Sequence, residues 1–491
     1  MLLLLTIACT PAPIPPPPVA ATARPDILLV TIDTLRADRV GAYGDPLAKT
    51  PTLDGLAADA ALFRQAHSVT PLTLPSHASM LTGRYPVHHG LRDNGGFRLE
   101  DAVPTLATAL QDAGYTTGAF VSAFVLDGAW GLDRGFSTYR DPFHPQKVAQ
   151  VGAFGEVELP SAEVVNAAAA WWREAEAPRF AWVHLYDPHT PWREHPDWDG
   201  DPYRGEVAFA DTLLRRLIEL TDNEDLVIVT SDHGEGLWDH GEREHGLLLS
   251  PSVTRVPLIV RPPGGVSPGA APSPRPSPEA VARRPDGVDP RLDLTPIPDA
   301  PVARRVLDAP VSGVDVAPTI ADYAGVPFPG ADGQSLRALM EGAAGQPRTL
   351  YAETFFPLFH YGWAALLMAT DGATRVEEGT AARSFDVATD PAGAHPEQVP
   401  HDHSFRAAID SWRGAETPHP GPIPGDAAAA LEALGYVTQA AETTGDLLDP
   451  RDQIDILAEL HAAEAHPDPT EAVRRLRAVV DRWPNMPDGH I

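Results

Sequence analysis

I-L-L-V-T-I-D, residues 27–33, is a six-residue, largely apolar and β-rich run that stops at an aspartate. A run that is apolar at successive positions, without alternation, reads as a strand buried on both faces, as in parallel sheets covered by helices. Two more stretches share its form. Residues 180–185 lead into Tyr186, Asp187 and His189, and residues 226–229 lead into Asp232 and His233. In open α/β sheets, ligands bind beyond the carboxyl ends of the strands. All three runs deliver Asp or His there, a coincidence that folding alone does not explain. The expected class is α/β, with a large, mostly parallel sheet flanked by helices.

Between these strands the pattern turns helical. Thr50 is placed to cap, and Pro51 to open, a helix with Leu53, Leu56, Ala57 and Ala60 at core spacing. Pro75 suits the first turn of another helix, which Gly83 ends. Thr73 then lies just ahead of a helix N-terminus, whose N–H groups and dipole favour negative charge. A chain of 491 residues can bury a large core, so one big domain with smaller additions is expected. The net charge of -30 argues against nucleic acid or an anionic membrane as partner through a basic patch, but leaves a small anionic ester open as substrate.

The single cysteine, Cys9, excludes disulfides within the chain. Residues 1–8 form a short apolar run, too short to span a bilayer. L-T-I-A-C looks like a lipobox and is followed by the Pro-rich residues 11–18, an extended tether. Residues 1–24 therefore read as a lipoprotein-type signal and tether, with a clipped secretory signal as the plainer alternative. On this reading the only membrane contact is a lipid at Cys9, and the location is the periplasm or outer surface of a bacterium. The Pro-, Gly- and Asp-dense stretch 262–302 reads as a disordered insertion in a catalytic domain over 25–345.

T-L-P-S-H-A-S-M-L-T-G-R, residues 73–84, resembles the sulfatase signature, in which Cys or Ser is followed by x-P-S-R and then T-G-R. Asp33 in T-I-D-T-L-R, with Asp232 and His233 in S-D-H-G-E, resembles the metal site of the alkaline-phosphatase superfamily, to which sulfatases belong. S-G-V-D-V-A-P-T-I and D-G-Q-S-L return to the same pattern, so the resemblance runs over about residues 25–390. It implies a small antiparallel C-terminal sheet within 346–440. Residues 441–491 look helical, and E-A-V-R-R-L-R-A-V-V-D-R-W-P-N resembles one tetratricopeptide helix, read as a packing appendage.

The resemblance also assigns the site. It implies one divalent cation on Asp33, Asp232 and His233, with Thr73 completing the coordination as an alkoxide. Thr34 stands where sulfatases usually carry a second aspartate. Ca²⁺, Mg²⁺, Mn²⁺ and Zn²⁺ all stay open, with histidine ligation favouring Mn²⁺ or Zn²⁺. Thr73 occupies the position of the cysteine that becomes formylglycine. Its branched Cβ could give only a ketone, so no formylglycine is expected and a plain hydroxyl is the nucleophile. His77 replaces the arginine beside it and could bond the Thr73 oxygen or the bound anion. Asn94 in R-D-N-G-G matches an amide set against the transferred group, although Asn-Gly is also an ordinary turn signal. His189 and His245 match the anion-binding and leaving-group positions; Asp187, His189 and His245 could alternatively hold a second metal, as in two-zinc phosphodiesterases.

Other polar and aromatic residues have plainer readings. His67, His88 and His89 read as structural, His240 as exposed, and Arg36 and Asp38 as a salt bridge that ties down a loop. Trp171 and Trp172 read as packing residues, and Tyr361 and Trp363 as aromatic core. The function implied is hydrolysis of a sulfuric or phosphoric ester through Thr73. The alternatives are a phosphoryl-group transferase resembling phosphoethanolamine transferases, or a catalytically silent binding protein.

Overall fold

The structure, a computed structural model, describes residues 24–141, 158–195, 200–266, 305–398, 404–413, 447–464, 466 and 468–482. Cys9, most of the 262–302 insertion and residues 414–446 lie outside them. The run that opened the reading forms β1 (Ile27–Ile32) at the middle of a nine-stranded sheet. The others are β2 (Ala61–His67), β3 (Thr116–Phe120), β4 (Thr138–Arg140), β5 (Arg179–Leu185), β6 (Leu226–Thr230), β7 (Arg255–Arg261), β8 (Arg305–Leu307) and β9 (Val311–Ser312). Their order is β4-β3-β5-β1-β6-β7-β2-β8, with β9 also on β2. Only β7 runs antiparallel to its neighbours, so the sheet is mixed and mostly parallel.

Burial on both faces explains the unbroken apolar runs. Ile27, Leu29, Phe180, Trp182 and Ile228 join one core with the helix α2 (Thr73–Thr82). Leu28, Val30, Ile32, Val183, Leu185 and Val229 point the other way, into a second core. That core is closed by α1 (Pro51–Ala57) and the helices Ser161–Glu174 and Pro202–Ile218. Thr50 precedes α1 as expected, yet its hydroxyl does not cap it. Asp211, from the helix Pro202–Ile218, accepts from the N–H groups of Thr52 and Leu53 at 2.9 and 2.8 Å. A carboxylate brought in by tertiary packing does the capping.

A second sheet of five antiparallel strands follows: β10 (Leu350–Thr354), β11 (Leu366–Thr370), β12 (Thr374–Glu378), β13 (Ala382–Asp386) and β14 (Glu397–Gln398). It docks on the main domain through Glu353 N–H to the Val69 carbonyl at 2.9 Å and a buried Arg92–Glu353 pair at 3.0 Å. Two further helices, Ile454–Glu464 and Pro469–Arg482, place Ile456, Leu457, Leu460 and Val479 against Leu247, Leu248, Leu249, Trp363 and Met368. No helix among the described residues is long and apolar enough to cross a membrane.

Candidate active site

The register of β1 with β5 and β6, Ile32 opposite Leu185 and Thr31 opposite Thr230, brings three carboxyl ends to one level. There Asp33, Asp232 and His233 offer ligand atoms that all lie within 4.8 Å of one another, and all three residues are fully buried. Asp33 Oδ1 and Asp232 Oδ2 have no hydrogen-bond partner. Burial pushes the Asp33 pKa up to about 7 and that of Asp232 up to about 6, with Asp33 raising Asp232 further. His233 Nδ1 lies 2.9 Å from the Gly234 carbonyl, which can only accept, so the proton sits on Nδ1 and Nε2 presents a lone pair. Burial lowers its pKa to about 3, which keeps the ring neutral. Two orphaned carboxylate oxygens and a neutral imidazole nitrogen are a donor set that fits a divalent cation.

The loop that carries this set is tightly held. A Cβ on Gly234 would lie 1.9 Å from the Ser252 carbonyl oxygen, so only glycine passes there. The hydroxyls of Ser68 and Ser76 both donate to the Asp232 carbonyl. His184, inside β5, approaches Asp33 Oδ2 at 3.2 Å through Nε2, while its Nδ1 faces the Ser122 N–H at 3.4 Å. That pairing orients the carboxylate from behind. Sequence reasoning passed over His184; its one signal was an imidazole interrupting an otherwise apolar strand.

Thr73 is the first residue of α2, whose ten residues are all buried. Its Oγ1 lies 3.3 Å from His233 Nε2. The Asn94 side-chain oxygen accepts from the Leu74 N–H at 2.8 Å, so Asn94 caps this helix at the residue after Thr73. His77, one turn on, meets Thr73 through its carbonyl oxygen, 2.8 Å from Nδ1, and not through its hydroxyl. Its Nε2 accepts from the Thr31 hydroxyl at 3.0 Å, and that hydroxyl in turn accepts from Trp182 Nε1 at 3.1 Å. Burial lowers the His77 pKa to about 3, against the pull of Asp232. Both its ring nitrogens are thus engaged within the protein.

On the far side of His233, the His245 ring lies 4.4 Å away between centroids and His189 a further 5.0 Å from His245. His189 stacks on Tyr186 at 4.4 Å, with Nδ1 on the Thr190 carbonyl. His245 Nδ1 is 3.0 Å from Glu235 Oε1. Burial lowers both pKa values, that of His189 strongly. The second-metal alternative does not assemble. Among the described residues only Asp33, Asp232 and His233 converge as a three-ligand group.

Of the histidines read as structural, His89 bonds Ser79 at 2.8 Å and His88 bonds Asp332 at 2.7 Å, whereas neither ring nitrogen of His67 has a hydrogen-bond partner; His240 is exposed. Arg36 pairs with Asp38 at 2.8 Å.

A mostly parallel sheet with Asp, Asp and His at its strand ends, facing a hydroxyl at a buried helix N-terminus, defines the alkaline-phosphatase-like class. Residues 25–326 match the family model described as Sulfatase, and the chain belongs to that family. It is 27% identical over 299 residues to the ulvan-active sulfatase of Formosa agariphila, covering 49% of this chain and 57% of that protein. With arylsulfatase A of Bos taurus it shares 38% over 123 residues, 24% of this chain and 22% of the relative. The matches thus span well under two thirds of these relatives' lengths. Among solved structures, a phosphonate monoester hydrolase of Agrobacterium radiobacter superposes with a TM-score of 0.59 at 20% identity, covering 79% of this chain and 94% of that one. A 2-O GAG sulfatase gives 0.56 at 19%, covering 79% and 90%. At such identities the likeness is one of fold.

Proposed function

We propose that this chain hydrolyses a sulfuric or phosphoric ester, with Thr73 as nucleophile. The observation that carries the reading is Thr73 Oγ1, 3.3 Å from the lone-pair nitrogen of His233, which itself converges with Asp33 and Asp232. Two serine hydroxyls beside it are occupied, since Ser68 and Ser76 both donate to the Asp232 carbonyl. A divalent cation held by Asp33, Asp232 and His233 would polarise the ester and lower the proton affinity of the Thr73 hydroxyl. Thr73 attacks the central atom in line, with its backbone fixed by His77 at the carbonyl and Asn94 at the next N–H. His245 protonates the leaving oxygen, because a bound anionic ester beside the ring favours its charged form. Water then opens the covalent adduct.

The relatives' names point to sulfate esters, but the threonine argues for phosphate. A formylglycine hydrate can shed sulfate by collapsing to its aldehyde. Thr73 has no geminal hydroxyl, so its adduct must be opened by water at the central atom. A phosphoryl group gives the site more negative charge to stabilise in that step than a sulfuryl group does. The kcat/KM for one aryl group carried as phosphate or phosphodiester is expected to exceed that for the sulfate. A clear sulfate preference that survives in Thr73→Ser and vanishes in Thr73→Ala would overturn the phosphate reading.

The L-T-I-A-C run supports an extracytoplasmic lipoprotein anchored at Cys9. Cys9→Ala is expected to move the protein from the membrane to the soluble fraction. A mature chain with unmodified Cys9 by mass spectrometry counts against the anchor.

A further inference from the structure

We infer that Glu235 is the positioning residue for His245, an inference that rests on the role of His245 given above. Glu235 is fully buried, and its Oε1 sits 3.0 Å from His245 Nδ1. It belongs to the same turn as two of the proposed ligands, since Asp232, His233, Gly234 and Glu235 are consecutive. That turn is stiff at both ends. The Ser68 and Ser76 hydroxyls hold the Asp232 carbonyl, and Arg36 Nη1 donates to the Glu235 carbonyl at 3.0 Å. Arg36 is itself locked by Asp38 at 2.8 Å and Asp239 at 2.7 Å. Gly234 admits no side chain against Ser252.

His245, by contrast, sits in a loop with no regular structure around it, and an imidazole there can turn about two side-chain torsions. The bond to Glu235 occupies Nδ1 and leaves Nε2 as the only ring nitrogen for a substrate. It also ties the spacing between that nitrogen and the Asp232–His233 pair to a single four-residue turn. An acid that served only to brace the loop would not need to reach the ring, because the Arg36 bonds go to the backbone carbonyls of Glu235 and Gly236.

The test compares full-length wild type, E235Q, H245A and the double variant on two esters of the preferred acid, one of 4-nitrophenol and one of an alkyl alcohol. Only the alkyl leaving group needs a well-placed proton donor. E235Q is expected to keep its metal content and KM, to lose about 10-fold or more in kcat on the alkyl ester, and to lose less than about 3-fold on the 4-nitrophenyl ester. The double variant should be no slower than H245A, because two residues acting through one group are not additive. Equal losses on both esters, no loss, or losses that multiply with H245A overturn the inference. An H245A that treats both esters alike removes the role of His245 and this inference with it. A second readout needs no turnover. In 15N-histidine-labelled protein, the His245 Nδ1 resonance is expected to shift in E235A, and an unmoved resonance in folded E235A overturns the pairing even if no ester is turned over.

Discussion

Asp232→Ala is expected to lose stoichiometric divalent metal and to lower kcat/KM by about 1,000-fold or more, while the protein stays folded. The fold survives because the turn is held at the Asp232 carbonyl by Ser68 and Ser76, and the variant gives up only the longer contacts to the carboxylate, from the Thr34 N–H at 3.3 Å and the Ser231 hydroxyl at 3.4 Å. Full metal content in the variant would show the ligand assignment to be wrong. Chelation should expose the same pair in the wild type. Asp33 and Asp232 are raised from 3.8 to about 7 and about 6, so the metal-free folded state keeps protons that the unfolded chain releases. Their contribution is full below about pH 4 and is lost as pH rises through 6 and 7. His77 and His233, lowered from 6.5 to about 3, work the other way and lose their contribution as pH falls below 6.5. In metal-free protein the carboxylates and the imidazoles thus pull stability in opposite directions between about pH 4 and 7. Added divalent metal should raise Tm at pH 8 by about 5 °C or more, and by much less at pH 5, where protons compete for the same oxygens. An equal rise at both pH values would contradict the raised carboxylates.

Thr73→Ala is expected to lower kcat by about 10,000-fold or more, with metal content unchanged, and Thr73→Ser to stay within about tenfold of wild type. The difference isolates the oxygen from the methyl, because serine keeps the hydroxyl at the head of the same buried helix. Acid-quenched wild type should carry the phosphoryl or sulfuryl group on the 73–84 segment, and the alanine variant should carry none. An alanine variant with more than a tenth of wild-type kcat would move the nucleophile elsewhere. Because Ser68 and Ser76 are committed to the Asp232 carbonyl, neither can replace Thr73 without releasing that turn.

The sequence alone determined three central strands, their burial and the residues at their ends. β1 matches its apolar run residue for residue, and β5 and β6 each extend theirs by one. Runs of this kind are local, since each is decided by side chains a few positions apart and by the polar residue that stops it. The helix that carries Pro75 was legible for the same reason and closes at Gly83 in the left-handed conformation, but it opens at Thr73, which the sequence pattern places just ahead of it. Tertiary structure decided which partner each functional side chain meets. Asn94 reaches across 20 positions to cap Leu74, and His184 stands 151 positions from the carboxylate it orients. His77 engages Thr31 because α2 lies against β1. Asp211, not Thr50, caps α1. Such contacts depend on which strand lands beside which, and strand order is set by how the whole core packs, so no local pattern of residues could carry them.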